Sequence, residues 1–78
     1  KLAFMNLGKI YFNQFLYMES IDAFANAFQV DASDQTPKIW IGRNYFAQGN
    51  RERAKAVWLE VLAVDKDNAE VKELLQVM

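Results

Sequence analysis

The 78-residue chain contains no His and no Cys. Imidazole acid–base catalysis, thiol nucleophiles, disulfides and zinc sites therefore fall away together. The charged residues that remain form three arrangements with a chemical reading. Glu19 and Asp22 share one face of a helical stretch, the placing of an acid–base pair. No nucleophile or phosphate-cradling glycine loop accompanies them, and solvated charges account for them better. The run Asp65 to Asn68, DKDN, opens like a calcium loop. It lacks the central glycine and the distal glutamate of such a loop, and reads better as a turn with a helix cap. Lys9 and Arg43 occupy equivalent places in two similar phrases, LGKIYFNQF (Leu7 to Phe15) and IGRNYFAQG (Ile41 to Gly49). A ligand with acidic groups can pair with both; otherwise they are two solvated cations. No catalytic residue, metal site or cofactor is expected.

Composition narrows the partners. Nine basic and ten acidic residues leave a net charge of −1, without the basic footprint of a nucleic-acid binder. No apolar run approaches the roughly 18–20 residues of a membrane span. The opening KLAFMNLGKIYF is interrupted by Asn6, Gly8 and Lys9 and is not expected to be a signal peptide. Starting on Lys1, the chain is expected to be processed or cut from something longer. The absence of Cys suits any compartment, cytoplasm and periplasm alike. An apolar fraction of 53% exceeds what one small core readily absorbs, so part of it is expected to face a partner or a neighbouring unit.

The two phrases belong to a longer recurrence. Gly8 returns as Gly42, Tyr11 as Tyr45, Phe12 as Phe46, Gln14 as Gln48, Val30 as Val64 and Asp31 as Asp65, always 34 positions on. Similar residues fill the intervals, among them Leu7/Ile41, Lys9/Arg43, Phe24/Trp58 and Phe28/Leu62. A constant offset of this size marks a helical repeat. Within each period the apolar spacing is i, i+3, i+4, i+7, as in Phe4, Leu7, Gly8, Tyr11 and in Ile21, Phe24, Ala25, Phe28.

Turn signals separate the helices. Gly49 and Asn50 supply a helix end and the next N-cap. Asp34 or Thr36 caps the third helix, with Pro37 in its first turn. Asp67 and Glu70 have the spacing of a capping box, and Val71, Leu74, Leu75 and Met78 make a last apolar stripe. The expectation is five helices: two antiparallel hairpins and a terminal helix. Gly8 and Gly42 stand inside helices, where glycine costs about 1 kcal/mol relative to alanine. Close approach of Phe24 and Trp58 to bare backbone would offset that.

These residues resemble the tetratricopeptide repeat, a 34-residue helix–turn–helix unit, over essentially the whole chain. Phe4 stands at the family's usual Trp, followed by Leu7, Gly8, Tyr11, Tyr17, Phe24 and Ala27; the second copy keeps Gly42, Tyr45, Gly49, Ala54 and Trp58. Departures are Ser20 for a small Ala, Ala32 and Lys66 at the proline place, and Lys38 for a large aromatic. The sharpest is Phe15 at the turn glycine. The first turn is therefore expected to be less standard than the second, with Phe15 and Leu16 outward. The resemblance implies an all-α fold of antiparallel helix hairpins in a right-handed superhelix. Its parts would be one repeat at 1–34, a second at 35–68 and a capping or partial third-repeat helix at 69–78. It also implies a groove, lined by the first helix of each pair, that binds a peptide or helix of another protein.

On that reading the groove stripe of the first helix is Leu2, Met5, Asn6, Lys9, Phe12 and Asn13. In the third it is Thr36, Ile39, Trp40, Arg43, Phe46 and Ala47, and the last helix adds Glu70, Glu73 and Leu74. Met5, Phe12, Ile39, Trp40 and Phe46 are large and apolar for a wet groove, as interaction surfaces are. Two alternatives stand beside this. Phe12 and Phe46 can pad the contact between adjacent first helices, and Trp40 can swing into the core to make up for Lys38. The carboxylate clamp with which some family members hold a chaperone tail has no counterpart here, where Met5, Lys9, Trp40, Glu70 and Leu74 fill its places. The competing function is structural: a segment of a longer repeat protein that associates with itself through exposed apolar surface.

Overall fold

The computed structural model describes residues 1–78. Its helices are α1 (Leu2–Asn13), α2 (Tyr17–Val30), α3 (Thr36–Ala47), α4 (Arg51–Val64) and α5 (Ala69–Gln76). Each boundary of α3 and α4 lies 34 positions after its counterpart: Leu2 and Thr36, Asn13 and Ala47, Tyr17 and Arg51, Val30 and Val64. Helices adjacent in sequence are adjacent in space, α1 on α2, α2 on α3, α3 on α4 and α4 on α5. The Cα atoms fill 27 × 27 × 15 Å, a slab about two helices thick at interaxial distances of about 8–10 Å.

Local chemistry starts and stops these helices. Asn50 caps α4 by accepting the Arg53 N–H at 3.2 Å. Pro37 lies in the first turn of α3, where its missing N–H is harmless. Thr36 is already helical, and its N–H is held by Asp34 Oδ1 at 3.0 Å. The cap of α5 is a correction: Asn68, not Asp67, accepts the Val71 N–H, at 3.0 Å. The turn closed by Asn68 N–H on Asp65 O (3.2 Å) makes the Val71 N–H the one to cap, and an Ncap side chain reaches the third residue on. No capping box forms, and Glu70 turns to Arg43 instead.

The two turns within the hairpins are built alike, against expectation. Leu16 N–H donates to Tyr11 O and Asn50 N–H to Tyr45 O, each at 2.9 Å. Phe15 N–H donates to Phe12 O and Gly49 N–H to Phe46 O, each at 3.0 Å. This pairing ends a helix through a left-handed residue, and both residues adopt one, Gly49 at φ 82° and Phe15 at φ 64°. Phe15 is 75% exposed and Leu16 also faces outward, as expected.

The helical glycines do what their spacing suggested. A Cβ on Gly8 would lie 2.7–2.8 Å from the Phe24 ring, and one on Gly42 would lie 2.6 Å from Trp58 Cε2. Each hairpin thus seats an aromatic ring of its second helix on the bare backbone of its first. A polar tie accompanies each contact: Ser20 Oγ donates to Gly8 O at 2.7 Å, and Trp58 Nε1 donates to Ile39 O at 3.1 Å. Two core clusters result. Met5, Phe24 and Ala27 gather with Trp40 and Ile41; Ile39, Ala54, Trp58, Val61 and Val71 gather with residues of all three later helices. Helix α3 belongs to both and joins them.

Candidate functional site

Trp40 organises one half of the expected groove. Its ring stacks on Phe24 at 5.5 Å with planes 17° apart and meets the edge of Phe12 at 5.6 Å. Trp40 therefore turns toward the first core cluster and is half-buried there. Lys38 lays its Nζ over the Phe28 ring at 4.9 Å and pairs with Glu60 at 3.7 Å.

Two expected groove residues are corrected. Met5 is 7% exposed and Ile39 3%, and both are core. Helix α3 packs against α2 on one side and α4 on the other, so a wider arc of it is covered than on a helix with one neighbour. Met5 is closed over from α2 and by Trp40 and Ile41 of α3. The open arc of α3 is shifted to Trp40, Arg43, Phe46 and Ala47. Asn6 and Asn13 are exposed on α1, as is Lys9.

The remaining residues do converge. Phe12 of α1, Arg43, Phe46 and Ala47 of α3, Trp58 of α4, and Leu74 and Val77 at the end of the chain line an open cavity of about 240 Å³. Six of these seven residues are apolar. Phe46 packs on Trp58 at 6.2 Å, and the Arg51 guanidinium lies 5.7 Å from its ring. Phe12 and Phe46 are each half-buried: they pad the helix contacts with one side and face the cavity with the other.

Lys9 and Arg43 meet at one ring. Both lie against Trp40, with Lys9 Nζ 5.6 Å and the Arg43 guanidinium 5.4 Å from the ring, within cation–π range. Arg43 Nη2 also donates to Glu70 Oε2 at 2.6 Å, across to α5, while its Nε–H is buried without an acceptor.

Sequence reasoning missed three participants. Val77 lies just beyond the end of α5 and Arg51 is the first residue of α4, places where periodicity fades. Asn44 is fully buried; its Nδ2 donates to Ser20 Oγ at 3.1 Å and to Trp40 O at 3.0 Å. Its spacing of three from Ile41 and seven from Pro37, a core stripe, was the available signal.

The perturbed titrations lie elsewhere. Lys1 Nζ reaches Asp34 Oδ2 at 2.7 Å and Asp31 Oδ2 at 3.2 Å. The Lys1 hydrogen bond, followed by the Thr36 N–H, holds the Asp34 carboxyl down to about 2. None of these residues lines the cavity. What the cavity offers is apolar surface, aromatic edges and fixed cations.

The architecture is all-α, five helices without strands, each packed on its neighbour, a form compatible with a helical repeat. No protein-family model and no curated protein matches the sequence. No helix is long and apolar enough to cross a membrane.

Proposed function

We propose that the chain is a protein-binding module of the tetratricopeptide kind. Residues 1–34 and 35–68 would be its repeats, 69–78 a capping or partial third-repeat helix, and the helices would rise as a right-handed superhelix. The 34-position recurrence of helix boundaries and of glycine–aromatic contacts supports that reading. The observation that carries the function is the open apolar cavity, where Phe12 and Phe46 stay half-exposed beside Leu74 and Val77. A surface of this kind is favourable to cover, and it receives one or two bulky side chains of a peptide or helix. No chemistry is asked of it.

Ala47 gives the cleanest test, because it is exposed and lines the cavity. Ala47→Arg fills the opening while leaving both core clusters intact. Peptides selected against the parent chain from a random display library should lose binding to this variant and keep it for Asn26→Arg, on the outer side of α2. Selected peptides that bind both variants equally would refute the groove.

A second reading is self-association, favoured by Phe4, Leu7 and Ile10, which leave one side of α1 apolar and exposed. Sedimentation over a wide concentration range decides it: a mass that stays monomeric at the top of the range removes this reading.

A further inference from the structure

The charges around the groove say more about its occupant than its apolar floor does. We propose that the occupant is an amphipathic segment of a partner protein that sets a bulky apolar side chain in the cavity and an Asp or Glu side chain against Arg43. The proposal rests on the protein-binding reading above and names the chemistry of the partner.

Arg43 carries the argument. Its guanidinium stands on the cavity wall with one bond, Nη2 to Glu70 at 2.6 Å. The Nε–H is shielded from solvent and has no acceptor. The side chain is nonetheless 34% exposed, which leaves the outer edge of the guanidinium open to a second acceptor. Guanidinium and carboxylate pair best through two parallel N–H donors, and Arg43 at present offers only one of them to Glu70. An incoming carboxylate that meets that outer edge, and shares or displaces Glu70, completes the geometry.

The other cations extend the pattern along the same floor. Lys9 shares the Trp40 ring with Arg43, and Arg51 lies over Phe46 at the far end. On the α5 side Glu70 reaches across to Arg43, and Glu73, three positions on, is exposed. The groove therefore has a basic side on α1, α3 and the start of α4, and an acidic side on α5. A helix lying in it is oriented by those walls, acidic edge toward Lys9 and Arg43. Three cations spaced along an aromatic floor fit carboxylates spread along a segment. A chain-terminal carboxylate would call for donors gathered at one point.

The test uses the whole chain and three fluorescein-labelled, C-terminally amidated peptides of about four helical turns. Each has Leu and Phe at i, i+3, i+4, i+7, with the flanking positions all Glu, all Gln or all Lys. Binding is read by anisotropy, and location by amide shifts of the labelled protein. The Glu peptide should bind roughly tenfold tighter than the Lys peptide, with the ratio shrinking as salt rises. Its shifts should centre on Ala47, Leu74 and Val77. Arg43→Gln should reduce that ratio most, and exposed Lys9→Gln, which gives up only the contact with the Trp40 ring, should reduce it less. Equal affinities with shifts in the groove overturn the acidic preference and leave the protein-binding reading standing. Shifts outside the groove for every peptide, or no binding, overturn both. Tight binding that appears only when the Glu peptide has a free C-terminus overturns the side-chain proposal in favour of a chain end.

Discussion

The first hairpin joins its helices through Phe15 and the second through Gly49, yet their turns make the same hydrogen bonds at matching distances. The two hairpins also bring an aromatic ring onto a helical glycine, Phe24 on Gly8 and Trp58 on Gly42. Their differences lie in what each substitution has to tolerate. Helix packing sets where the chain must reverse, and the turn residue conforms: glycine takes the left-handed region freely, whereas Phe15 is held there against a cost of about 1–2 kcal/mol. A repeat can thus lose its local signal and keep its geometry, provided the tertiary contacts on either side are intact.

The largest way to break the likeness is to fill the glycines. In Gly42→Ala the new Cβ meets the five-membered ring of Trp58, 2.7 Å from Cδ1 and closer still to Nε1. That indole is 1% exposed and anchored on Ile39 O, so it cannot yield. A loss of about 3 kcal/mol is expected, after the roughly 1 kcal/mol that alanine returns in helix propensity. Gly8→Ala meets the far edge of the Phe24 ring at 2.7–2.8 Å; Phe24 is as fully buried, among Met5, Ala27, Trp40 and Ile41, but has no polar anchor like that of Trp58. About 2 kcal/mol is expected there. Urea unfolding of both variants checks the order, and an equal or inverted pair would mean the two contacts are not held as differently as their anchors suggest.

The polar ties differ too. In the first hairpin Ser20 links Gly8 O to Asn44 Nδ2; its counterpart in the second, Ala54, is fully buried and makes no such bond. Ser20→Ala should cost about 1–2 kcal/mol, because Asn44 is already short of a partner at Oδ1 and would lose one of its two at Nδ2. A value near zero would show that Asn44 reorganises without it.

The turns predict a smaller pair of opposite sign. Phe15→Gly should stabilise by about 0.5–1 kcal/mol, strain relief exceeding the added freedom of the unfolded chain and the loss of the Phe15–Tyr17 edge contact at 6.4 Å. Gly49→Ala should destabilise by about 1 kcal/mol, and cleanly, since nothing lies within 4 Å of its would-be Cβ. Thermal melts of the two variants, run together, isolate the backbone contribution. A Phe15→Gly protein that melts below the parent would show that the Phe15 ring contributes more than its backbone costs.

Much of this comparison was legible in the residues. The offset of 34 located both hairpins, and glycines in mid-helix pointed to aromatic partners. What was misread has a common physical cause. A periodic stripe shows that one arc of a helix is apolar, but not whether one neighbour or two will cover it. Ile39 went to the core because α3 is packed on both sides, and Met5 because Trp40 and Ile41 of α3 close over it beside α2. Caps depend on which N–H is left unpaired by the preceding turn, so Asn68 took the place expected for Asp67. Phe15 is the clearest instance, since its propensity argued for an irregular turn and the pairing of α1 with α2 imposed a regular one.

The smallest effect tests a feature the second hairpin lacks. Lys1 ties α1 to the turn after α2 through Asp31 and Asp34; the counterpart of Lys1 is Gln35, which carries no charge. The hydrogen bond from Lys1, then that from Thr36, lowers Asp34 from its ordinary 3.8 to about 2. Ser33 first, and Lys1 next, lowers Asp31. Groups depressed on folding stabilise the native state above their unfolded values, and that contribution is lost as pH falls through the folded values. The first hairpin should therefore weaken as acid is added from 3.8 toward 2. Lys1 runs the other way: raised above 10.5 chiefly by Asp34, its contribution is whole below that pH and fades as alkali exceeds its folded value. Both partners are solvent-exposed, so solvent screening keeps the effect small. Asp34→Asn keeps an acceptor for the Thr36 N–H and removes the titration together with the Lys1 ion pair. Melting temperatures followed down the acid limb should fall less steeply for this variant than for the parent, and matching slopes would show that the tie does not contribute to holding α1 in place.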